Sequence, residues 1–281
     1  MLITNTHNLP SVFVELAQNW QYKPKPNRIG VTEFCDTPQI RYLKIKHWDE
    51  LKQDVSEMLW MFLGGAVHSV LEKADIVNAL TEEKLEVKLS DTITLVGKPD
   101  LLHNREIHDY KVCSAYAFLL GSKPEWERQL NLYRWLYMQH GFRVDSLKIH
   151  AILRDWTKSK TYANDDYPEI PFQTVEIKIW GDGYLKTYID DRLYVYTSRP
   201  VSPCLPAQQW ERPTTYAIMK KGRKSALRVL DTKEEAEKWI VDNNKDKLEI
   251  VERKGVKTRC ESYCIVRNVC PQRKEDSEKI T

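Results

Sequence analysis

Apolar positions along the chain follow two periods. Three stretches repeat them every three to four residues and predict amphipathic helices: "HWDELKQDVSEMLWMFLGGAVHSVLEKA" (47–74), "KPEWERQLNLYRWLYMQHGF" and "GDGYLKTYIDDRLYVYTS". In the second, Pro124 lies in the first turn and Gly141 just after the end, where these residues are favoured. Gly64 and Gly65 interrupt the first helix and allow a bend or the close approach of another backbone.

Shorter apolar runs between these helices predict strands. "EEKLEVKLSD", "ITLVGKPDLL" and "IHDYKV" follow the first helix, whereas "SLKIHAILRDW" and "TVEIKIW" follow the second. The order helix, three strands, helix, two strands, helix predicts a mixed α/β sheet with helices packed against it.

A proline-rich segment, "SRPVSPCLPAQQWERPTT", marks a domain boundary. The patterns beyond it predict strand, strand, helix and strand, a subdomain of roughly 45 residues, which is about the lower limit for independent folding. We therefore expect a core over 1–203 with an N-terminal helical region, a small basic α+β subdomain over 204–259 and a cysteine-bearing segment over 260–281.

The segment "VGKPDLLHNREIHDYKV" (96–112) predicts a hairpin between the apolar runs Thr92–Leu102 and Ile107–Val112. If the turn closes symmetrically on Asn104-Arg105, Leu102 pairs with Ile107, and two residues further out an aspartate faces an aspartate. Like charges directly opposed on antiparallel strands destabilise a sheet.

These facing residues are Asp100 and Asp109. Lys111 shares a face with Asp109, while Tyr110 points the other way, so two carboxylates and an ammonium converge on one side. Two plainer readings stay open at this point. A slipped register would send Asp100 to the other face, or Lys111 would simply neutralise Asp109.

Composition limits the classes of protein that fit. The chain has 281 residues, 30% charged and 10% aromatic, which is typical of a globular protein and not of a disordered one. No apolar run approaches the roughly 18 residues needed to span a membrane. "MLITNTHNLPSVFVELAQ" lacks a basic leader followed by an apolar core, so we expect a cytoplasmic setting with reduced thiols.

Charge is distributed unevenly along the chain. The net charge of +3 is too small to indicate a partner, but residues 212–259 hold 14 basic against 8 acidic residues. They include the compact run "MKKGRKSALR", which fits a solvated surface and a nucleic-acid contact equally well.

Two helical pairs have side chains four positions apart and therefore on one face: His68 with Glu72, and Gln129 with Tyr133. Taken singly, each pair is more typical of an ordinary helix surface or helix packing than of a functional site. Their order relative to the hairpin changes this interpretation.

In chain order, His68, Asp100 in "GKPD", the Asp109-x-Lys111 of "DYK" and Gln129-x-x-x-Tyr133 resemble the PD-(D/E)xK nuclease superfamily. The branch is that of RecB-type nuclease domains and the CRISPR adaptation nuclease. The resemblance covers roughly residues 28–200 and is strongest to nuclease-like proteins of bacteriophages. It implies a restriction-endonuclease-like mixed sheet flanked by helices.

Phosphodiester hydrolysis explains these residue types, because a bound divalent metal both acidifies water and stabilises charge on phosphate. The hard oxygen ligands suit Mg²⁺ or Mn²⁺, and the imidazole favours tolerance of Mn²⁺. The metal ligands implied are His68, Asp100, Asp109 and the main-chain carbonyl of Tyr110. The chain departs from the common pattern in having Asp109 where the superfamily usually has Glu.

The resemblance also implies roles for the remaining groups. Lys111 would orient the attacking water or stabilise the developing negative charge, and Glu72 would support His68 or the waters around the metal. Gln129 and Tyr133 would contact substrate or brace the lysine. Under a shifted register, Glu106 and His108 would replace the expected ligands.

Three of the six cysteines lie within eleven residues, in "CESYCIVRNVC", a spacing that suggests metal before disulfide in a cytosolic chain. Four thiolates would complete a zinc or an iron–sulfur site. The resemblance implies a 4Fe–4S cluster, with Cys260, Cys264 and Cys270 and one cysteine from upstream. We favour Cys204 in the proline-rich segment over Cys35, and expect Cys113 to be a buried thiol.

Such a cluster would close residues 205–259 into a loop and reduce their unfolded-state entropy. The small subdomain would then face DNA with the basic residues Lys220, Lys221, Arg223 and Lys224.

The sequence therefore predicts a metal-dependent DNA nuclease, specifically an exonuclease acting on DNA ends or single strands in phage or bacterial recombination or repair. Recombination or replication proteins are the expected partners, in the cytoplasm of a bacterial or phage-infected cell. The alternatives are a structure-specific endonuclease or nickase, and a DNA-binding accessory protein that retains the nuclease fold.

Overall fold

The computed structural model describes residues 1–119, 123–243 and 248–278. The chain divides into two compact units, Met1–Ser202 and Pro203–Thr281. Within the described ranges, no helix has both the length and the apolar character needed to cross a bilayer.

The first unit contains eight α-helices among its described residues. They are α1 (Ser11–Asn19), α2 (Val31–Cys35), α3 (Pro38–Lys46), α4 (Leu59–Leu71), α5 (Ala115–Leu119), α6 (Pro124–Gln139), α7 (Lys158–Thr161) and α8 (Asp182–Thr197). The strands of this unit are β1 (Leu2–Thr4), β2 (Arg28–Gly30), β3 (Lys52–Asp54), β4 (Leu80–Thr81), β5 (Leu85–Lys88), β6 (Thr94–Gly97), β7 (Leu101–His103), β8 (Glu106–Cys113), β9 (Ser146–Leu153) and β10 (Phe172–Glu176).

The central sheet has five strands in the order β10-β9-β8-β7-β4. β8 and β9 are parallel, and the other neighbours are antiparallel. A second sheet, β2-β6-β5, pairs β2 with β6 in parallel and β5 with β6 in antiparallel orientation. The predicted fold class, a mixed sheet with helices packed against it, is confirmed.

The core lies between α6 and one face of the central sheet. Leu130 and Leu136 of α6 are fully buried, as are Ile107 on β8 and Ile149 on β9. Burial alternates strictly along β9, which gives the sheet one apolar face against the helices. Gly97 at the end of β6 lets α6 approach closely, because a Cβ there would lie 2.4 Å from Leu136 Cδ1.

The prediction of a single helix from 47 to 74 is wrong in its first half. Residues 48–58 form two short 3₁₀ turns around β3, which pairs in parallel with β1. Asp54 causes the break, because its carboxylate accepts hydrogen bonds from the Ser56 and Thr6 N–H groups at 3.1 and 2.8 Å. The helix α4 then runs unbroken through both glycines, and the close neighbour of Gly65 is the Trp20 ring instead of a backbone.

The predicted strand Thr92–Leu102 is also divided. It forms β6 and β7, which belong to different sheets, with Lys98-Pro99-Asp100 crossing between them. Pro99 has no N–H to donate to a ladder, so the strand cannot continue through it. This crossing places Asp100 at one end of the central sheet, immediately before β7.

The hairpin register is the one predicted from the symmetric turn. Leu102 pairs with Ile107 and His103 with Glu106. Asn104 and Arg105 both have positive φ, 49° and 64°, as in the two-residue turns that match strand twist.

The second unit contains the predicted order of strand, strand, helix and strand. A three-stranded antiparallel sheet, β13-β12-β14, contacts one helix. The strands and α-helices of this unit are β11 (Glu211–Arg212), β12 (Thr215–Lys220), β13 (Arg228–Leu230), α9 (Lys233–Asn243), β14 (Leu248–Arg253), β15 (Val256–Lys257) and α10 (Pro271–Glu278). These elements lie ahead of the three C-terminal cysteines, and the division into domains expected from the sequence stays a prediction.

Candidate metal centre

Three side chains of the first unit converge at one end of the central sheet. The imidazole Nδ1 of His68 lies 3.2 Å from Asp100 Oδ1 and 3.7 Å from Glu82 Oε1. One ligand atom from each residue lies within 4.8 Å of the others. In the part of the chain that the structure describes, this is the one group of three such ligands with that spacing.

Strand pairing places the carboxylates. Leu80 pairs with Leu102 and Thr81 with Leu101, so the next step along β4 brings Glu82 opposite Asp100, where the Glu82 N–H donates to the Asp100 carbonyl at 3.0 Å. On the other side of β7, the register of the hairpin brings Asp109 opposite Asp100.

Glu82, Asp100 and Asp109 therefore form a row across three neighbouring strands, here called the carboxylate row. Such a row of like charges is unfavourable in a sheet unless positive charge offsets it.

Each member of the carboxylate row has its own positive or hydrogen-bonding neighbour. Lys98 Nζ lies 2.5 Å from Glu82 Oε2, and Lys111 Nζ lies 2.5 Å from Asp109 Oδ2. Asp100 has His68 on one oxygen, while its Oδ2 accepts a hydrogen bond from the Tyr110 N–H at 2.7 Å.

Asp109 has the most demanding environment of the three. It is 1% exposed. Burial raises the pKa of its carboxyl to about 6, as does the charge of Asp100, against the opposing effect of Lys111. The contact with Lys111 is an ion pair with poor hydrogen-bond geometry, since Asp109 Oδ2 accepts no directed hydrogen bond from the described residues. A buried oxygen of this kind is suited to a cation.

The pKa of His68 is also raised, but for a different reason. Its hydrogen bond to Asp100 raises the pKa of the imidazole, and burial acts against that rise. The ring also makes an edge-on contact with Tyr110, with centroids 6.5 Å apart, which fixes its orientation beside the strand. α4 thus places the His68 nitrogen at the end of the sheet where the Glu82 and Asp100 carboxylates lie.

The Gln129–Tyr133 pair lies on α6. Gln129 Nε2 donates to the Tyr133 hydroxyl at 3.0 Å, and Tyr133 is 6% exposed. Burial raises the pKa of the phenol, with further contributions from the nearby charges of Asp109 and Asp100. Tyr133 is therefore a neutral hydroxyl close to the carboxylate row.

The structure brings together several of the residues expected from the sequence. His68 contacts Asp100, Lys111 contacts Asp109, and Tyr110 supplies a main-chain contact. Glu72 lines a small cavity of about 50 Å³ with His68, Glu82, Asp100 and Tyr110, but it is not one of the three converging ligands.

Sequence reasoning missed Glu82. Its neighbour strand β4 is only two residues long, and Glu82 itself has a positive φ of 53° after that strand ends. Nothing in "LTEEKLE" distinguishes it from Glu83, so its place opposite Asp100 depends on a pairing that becomes visible only in the folded chain.

The shifted-register alternative, with Glu106 and His108 as ligands, is wrong. Glu106 forms an ion pair with Lys148 at 2.7 Å, and His108 Nδ1 lies 2.9 Å from His150 Nε2. Both alternate with Asp109 along β8 and so face away from it.

The second unit holds four of the cysteines. The backbone of Cys204 is hydrogen-bonded twice to the side chain of Gln272, which follows Cys270 by two residues, at 2.9 Å each. Cys264 and Cys270 are both buried. Burial raises the pKa of Cys264, and the charges of Cys270 and Cys204 act in the same direction, so these thiols are electrostatic neighbours.

Cys260 belongs to the same neighbourhood. Burial raises the pKa of its thiol, followed by the charges of Cys264 and Cys270. Cys35, by contrast, lies in α2 of the first unit with a side-chain hydrogen bond to Tyr188, and burial raises the pKa of its thiol. Cys113 is buried at the end of β8.

The four basic residues of the "KKGRK" run lie at the turn that follows β12. Lys220, Lys221, Arg223 and Lys224 are all exposed, and Gly222 supplies a positive φ of 86° there. The Arg223 N–H donates to the Lys220 carbonyl at 3.0 Å, which closes a tight turn with its charges outward.

No protein-family model and no curated protein matches the chain. Among solved structures, SSO0001 is similar at 16% identity and a TM-score of 0.45, over 71% of this chain and 89% of that chain. An alkaline exonuclease, LHK-Exo, from Laribacter hongkongensis is similar at 10% identity and a TM-score of 0.37, over 59% and 86%. A phage-related exonuclease from Haemophilus somnus 129PT has 16% identity and a TM-score of 0.28, over 65% and 76%.

The raised pKa of Asp109 predicts a pH-dependent stability for the metal-free protein. An acid whose pKa is higher in the folded state stabilises the fold at low pH, and that contribution is lost as the pH rises through the folded value of about 6. Asp109→Asn removes the buried charge and should stabilise the metal-free protein by about 1–3 kcal/mol above pH 7, measured by chemical denaturation with chelator present.

The exposed Asp91 provides the matched control. The free energy of unfolding of Asp91→Asn should follow that of the wild type from pH 4 to 8, whereas that of Asp109→Asn should vary less with pH. Parallel curves for all three proteins would show that the carboxyl of Asp109 is not strained by burial.

Proposed function

We propose that this chain is a divalent-metal-dependent DNA nuclease that hydrolyses phosphodiester bonds at DNA ends or in single strands. The observation that carries the proposal is the carboxylate row, with Lys111 against one member and His68 against another. A plain structural sheet has no use for three adjacent carboxylates, one of them fully buried. The expected pathway is recombination or repair of phage or bacterial DNA.

The donor set suits Mg²⁺ or Mn²⁺. Glu82 and Asp100 offer hard oxygen ligands that converge with the His68 nitrogen, which Mn²⁺ tolerates. The buried Asp109, outside this group of three but next to Asp100, would add a further oxygen. We include the main-chain carbonyl of Tyr110 among the proposed ligands. A divalent cation held there would acidify a water molecule and neutralise charge on the phosphate oxygens.

The chain's own residues account for the remaining requirements. The half-buried ammonium of Lys111 is held in place by Asp109, where it can orient a water or stabilise negative charge on phosphate. The Tyr133 hydroxyl accepts from Gln129, so its own hydrogen is available to an acceptor in the site. Glu72, at the rim of the small cavity, is placed to hold waters near His68.

Degradation of labelled DNA with Mg²⁺ or Mn²⁺ tests the nuclease directly. Asp100→Asn and Lys111→Ala should each reduce the rate at least about a hundredfold, because the first removes a proposed metal ligand and the second removes a cation placed to act on the reacting phosphate. Glu82→Gln should reduce Mn²⁺ affinity roughly tenfold or more. Glu83→Gln, the exposed neighbour, should leave both quantities unchanged.

The outcomes separate the alternatives. Full activity in the Asp100 and Lys111 variants would reject this site, and tight DNA binding without cleavage by the wild type would favour an accessory protein. Cleavage of covalently closed circular DNA would identify an endonuclease or nickase, whereas degradation of linear DNA alone identifies an exonuclease.

We further propose that Cys204, Cys260, Cys264 and Cys270 bind a 4Fe–4S cluster in the second unit. The two hydrogen bonds that tie Cys204 to Gln272 and the mutual electrostatic effect of the thiols support this set. Four thiolates would complete either a zinc or an iron–sulfur site, and the choice of iron–sulfur follows the resemblance given in the sequence analysis.

Anaerobic purification tests the cluster. The protein should be brown, absorb at about 400 nm and contain about four irons per chain. Cys264→Ser and Cys204→Ser should each abolish the absorbance, whereas Cys35→Ser and Cys113→Ser should keep it. Zinc in place of iron, or loss with Cys35→Ser alone, would contradict the assignment.

We also propose that the turn after β12 contacts DNA through Lys220, Lys221, Arg223 and Lys224. Their exposure on one tight turn supports this. Replacing all four by Ala should weaken DNA binding and lower its salt dependence. With fewer phosphate contacts, fewer counterions are released when the protein binds. Binding measured by fluorescence anisotropy across a salt series would be unchanged if the turn is an ordinary solvated surface.

A further inference from the structure

A basic groove opens on the first unit beside the carboxylate row. Its volume is about 690 Å³, and six basic but only two acidic side chains line it. We call it the basic groove, and its lining includes Tyr22, Lys25, Lys44, Lys84 and Lys98. A concave site of this size fits one or a few nucleotides and is too small for a duplex.

The basic groove reaches the proposed metal centre through two shared residues. Lys98 lines the groove, and its Nζ lies 2.5 Å from Glu82 Oε2. Tyr133 also lines it, and the charges of Asp109 and Asp100 raise the pKa of Tyr133 together with its burial. A ligand lying in the groove would therefore have one end at the carboxylate row.

The positive charge of the groove is only partly neutralised. Arg41 is committed to the fold, since it is buried against Glu33 and donates to the Arg28 carbonyl at 2.8 Å. Arg28 and Lys84 share the single carboxylate of Glu86, and Lys25 and Lys44 form no ion pair with any residue that the structure describes. An excess of cations along a concave surface attracts a phosphate backbone.

Tyr22 adds an aromatic surface to these charges. It is 57% exposed, and it precedes the extended, proline-containing run "KPKP" that carries Lys25. An exposed aromatic ring among basic residues is the combination that binds single-stranded nucleic acid, because bases stack on the ring while lysines follow the backbone. A paired base has no free face to offer such a ring.

We propose that the basic groove binds the single-stranded end of a DNA substrate and leads its backbone to the carboxylate row. A base stacks on Tyr22, and Lys25, Lys44 and Lys84 neutralise the phosphates between that base and Lys98. This assignment rests on the proposed nuclease function for the identity of its ligand, and it adds the residues that hold the strand.

Binding of a labelled single-stranded oligonucleotide, measured by anisotropy without divalent metal, separates charge from stacking. The triple variant Lys25→Ala, Lys44→Ala, Lys84→Ala should weaken binding at least about tenfold. It should also reduce the slope of log binding constant against log salt concentration by about two. Tyr22→Ala should weaken binding about fivefold or more with the slope unchanged, and Tyr22→Phe should bind as the wild type does.

A charge-matched control uses three exposed lysines outside the groove, Lys52→Ala, Lys158→Ala and Lys178→Ala. Its binding should stay within about twofold of the wild type. An equal loss in the control and groove variants would overturn the proposal, as would an equal loss for single-stranded and fully duplex DNA.

Hydrolysis of bis(p-nitrophenyl) phosphate with Mn²⁺ distinguishes failure of the groove from failure of the nuclease. The groove triple variant should hydrolyse this small diester at the wild-type rate while degrading single-stranded DNA at least tenfold more slowly. Degradation at the wild-type rate would overturn the groove alone. Absence of hydrolysis in the wild type itself would overturn the nuclease, while the binding series would still decide whether the groove holds single strands.

Discussion

The first unit depends on one electrostatic constraint, which is that three carboxylates lie side by side across β4, β7 and β8. Glu82 and Asp109 both face Asp100, and each of the three has a different compensating contact. Asp109 remains the least satisfied of the row, because it is buried and its Oδ2 has an ion-pair partner in Lys111 but no well-directed hydrogen bond among the described residues. A bound cation would remove this strain, so the same arrangement that is unfavourable in an empty sheet is suited to metal binding.

The surrounding elements serve to hold this row in place. The crossing at Lys98-Pro99-Asp100 moves the chain from one sheet to the other and leaves Asp100 at a strand end, where its side chain is accessible to α4. Gly97 lets α6 pack closely, which brings Tyr133 into the field of the carboxylates. The basic groove begins at these same residues, so the proposed strand-binding surface and the proposed metal centre share one small region of the fold.

The second unit contains four cysteines, one of which is separated from the other three by a long stretch of chain. The backbone of Cys204 is tied to Gln272, while the three later cysteines belong to one segment. Raised pKa values at Cys260 and Cys264 indicate thiols that resist losing their protons when no cation is near. Thiolate ligands to a metal would reverse that tendency, as the charge of the metal favours deprotonation.

Local patterns in the sequence determined most of the elements and the centre of the site. The symmetric polar turn sets the hairpin register, which puts Asp100 opposite Asp109 and Lys111 on the same face. Tertiary structure alone decided the rest, since Glu82 joins the row through a two-residue strand that has no signal of its own. The break before α4 likewise depends on Asp54 binding Thr6, a contact between residues far apart in the chain. Periodicity reports which face of an element is apolar, but pairing between distant segments is fixed by packing and hydrogen bonds that only the folded chain contains.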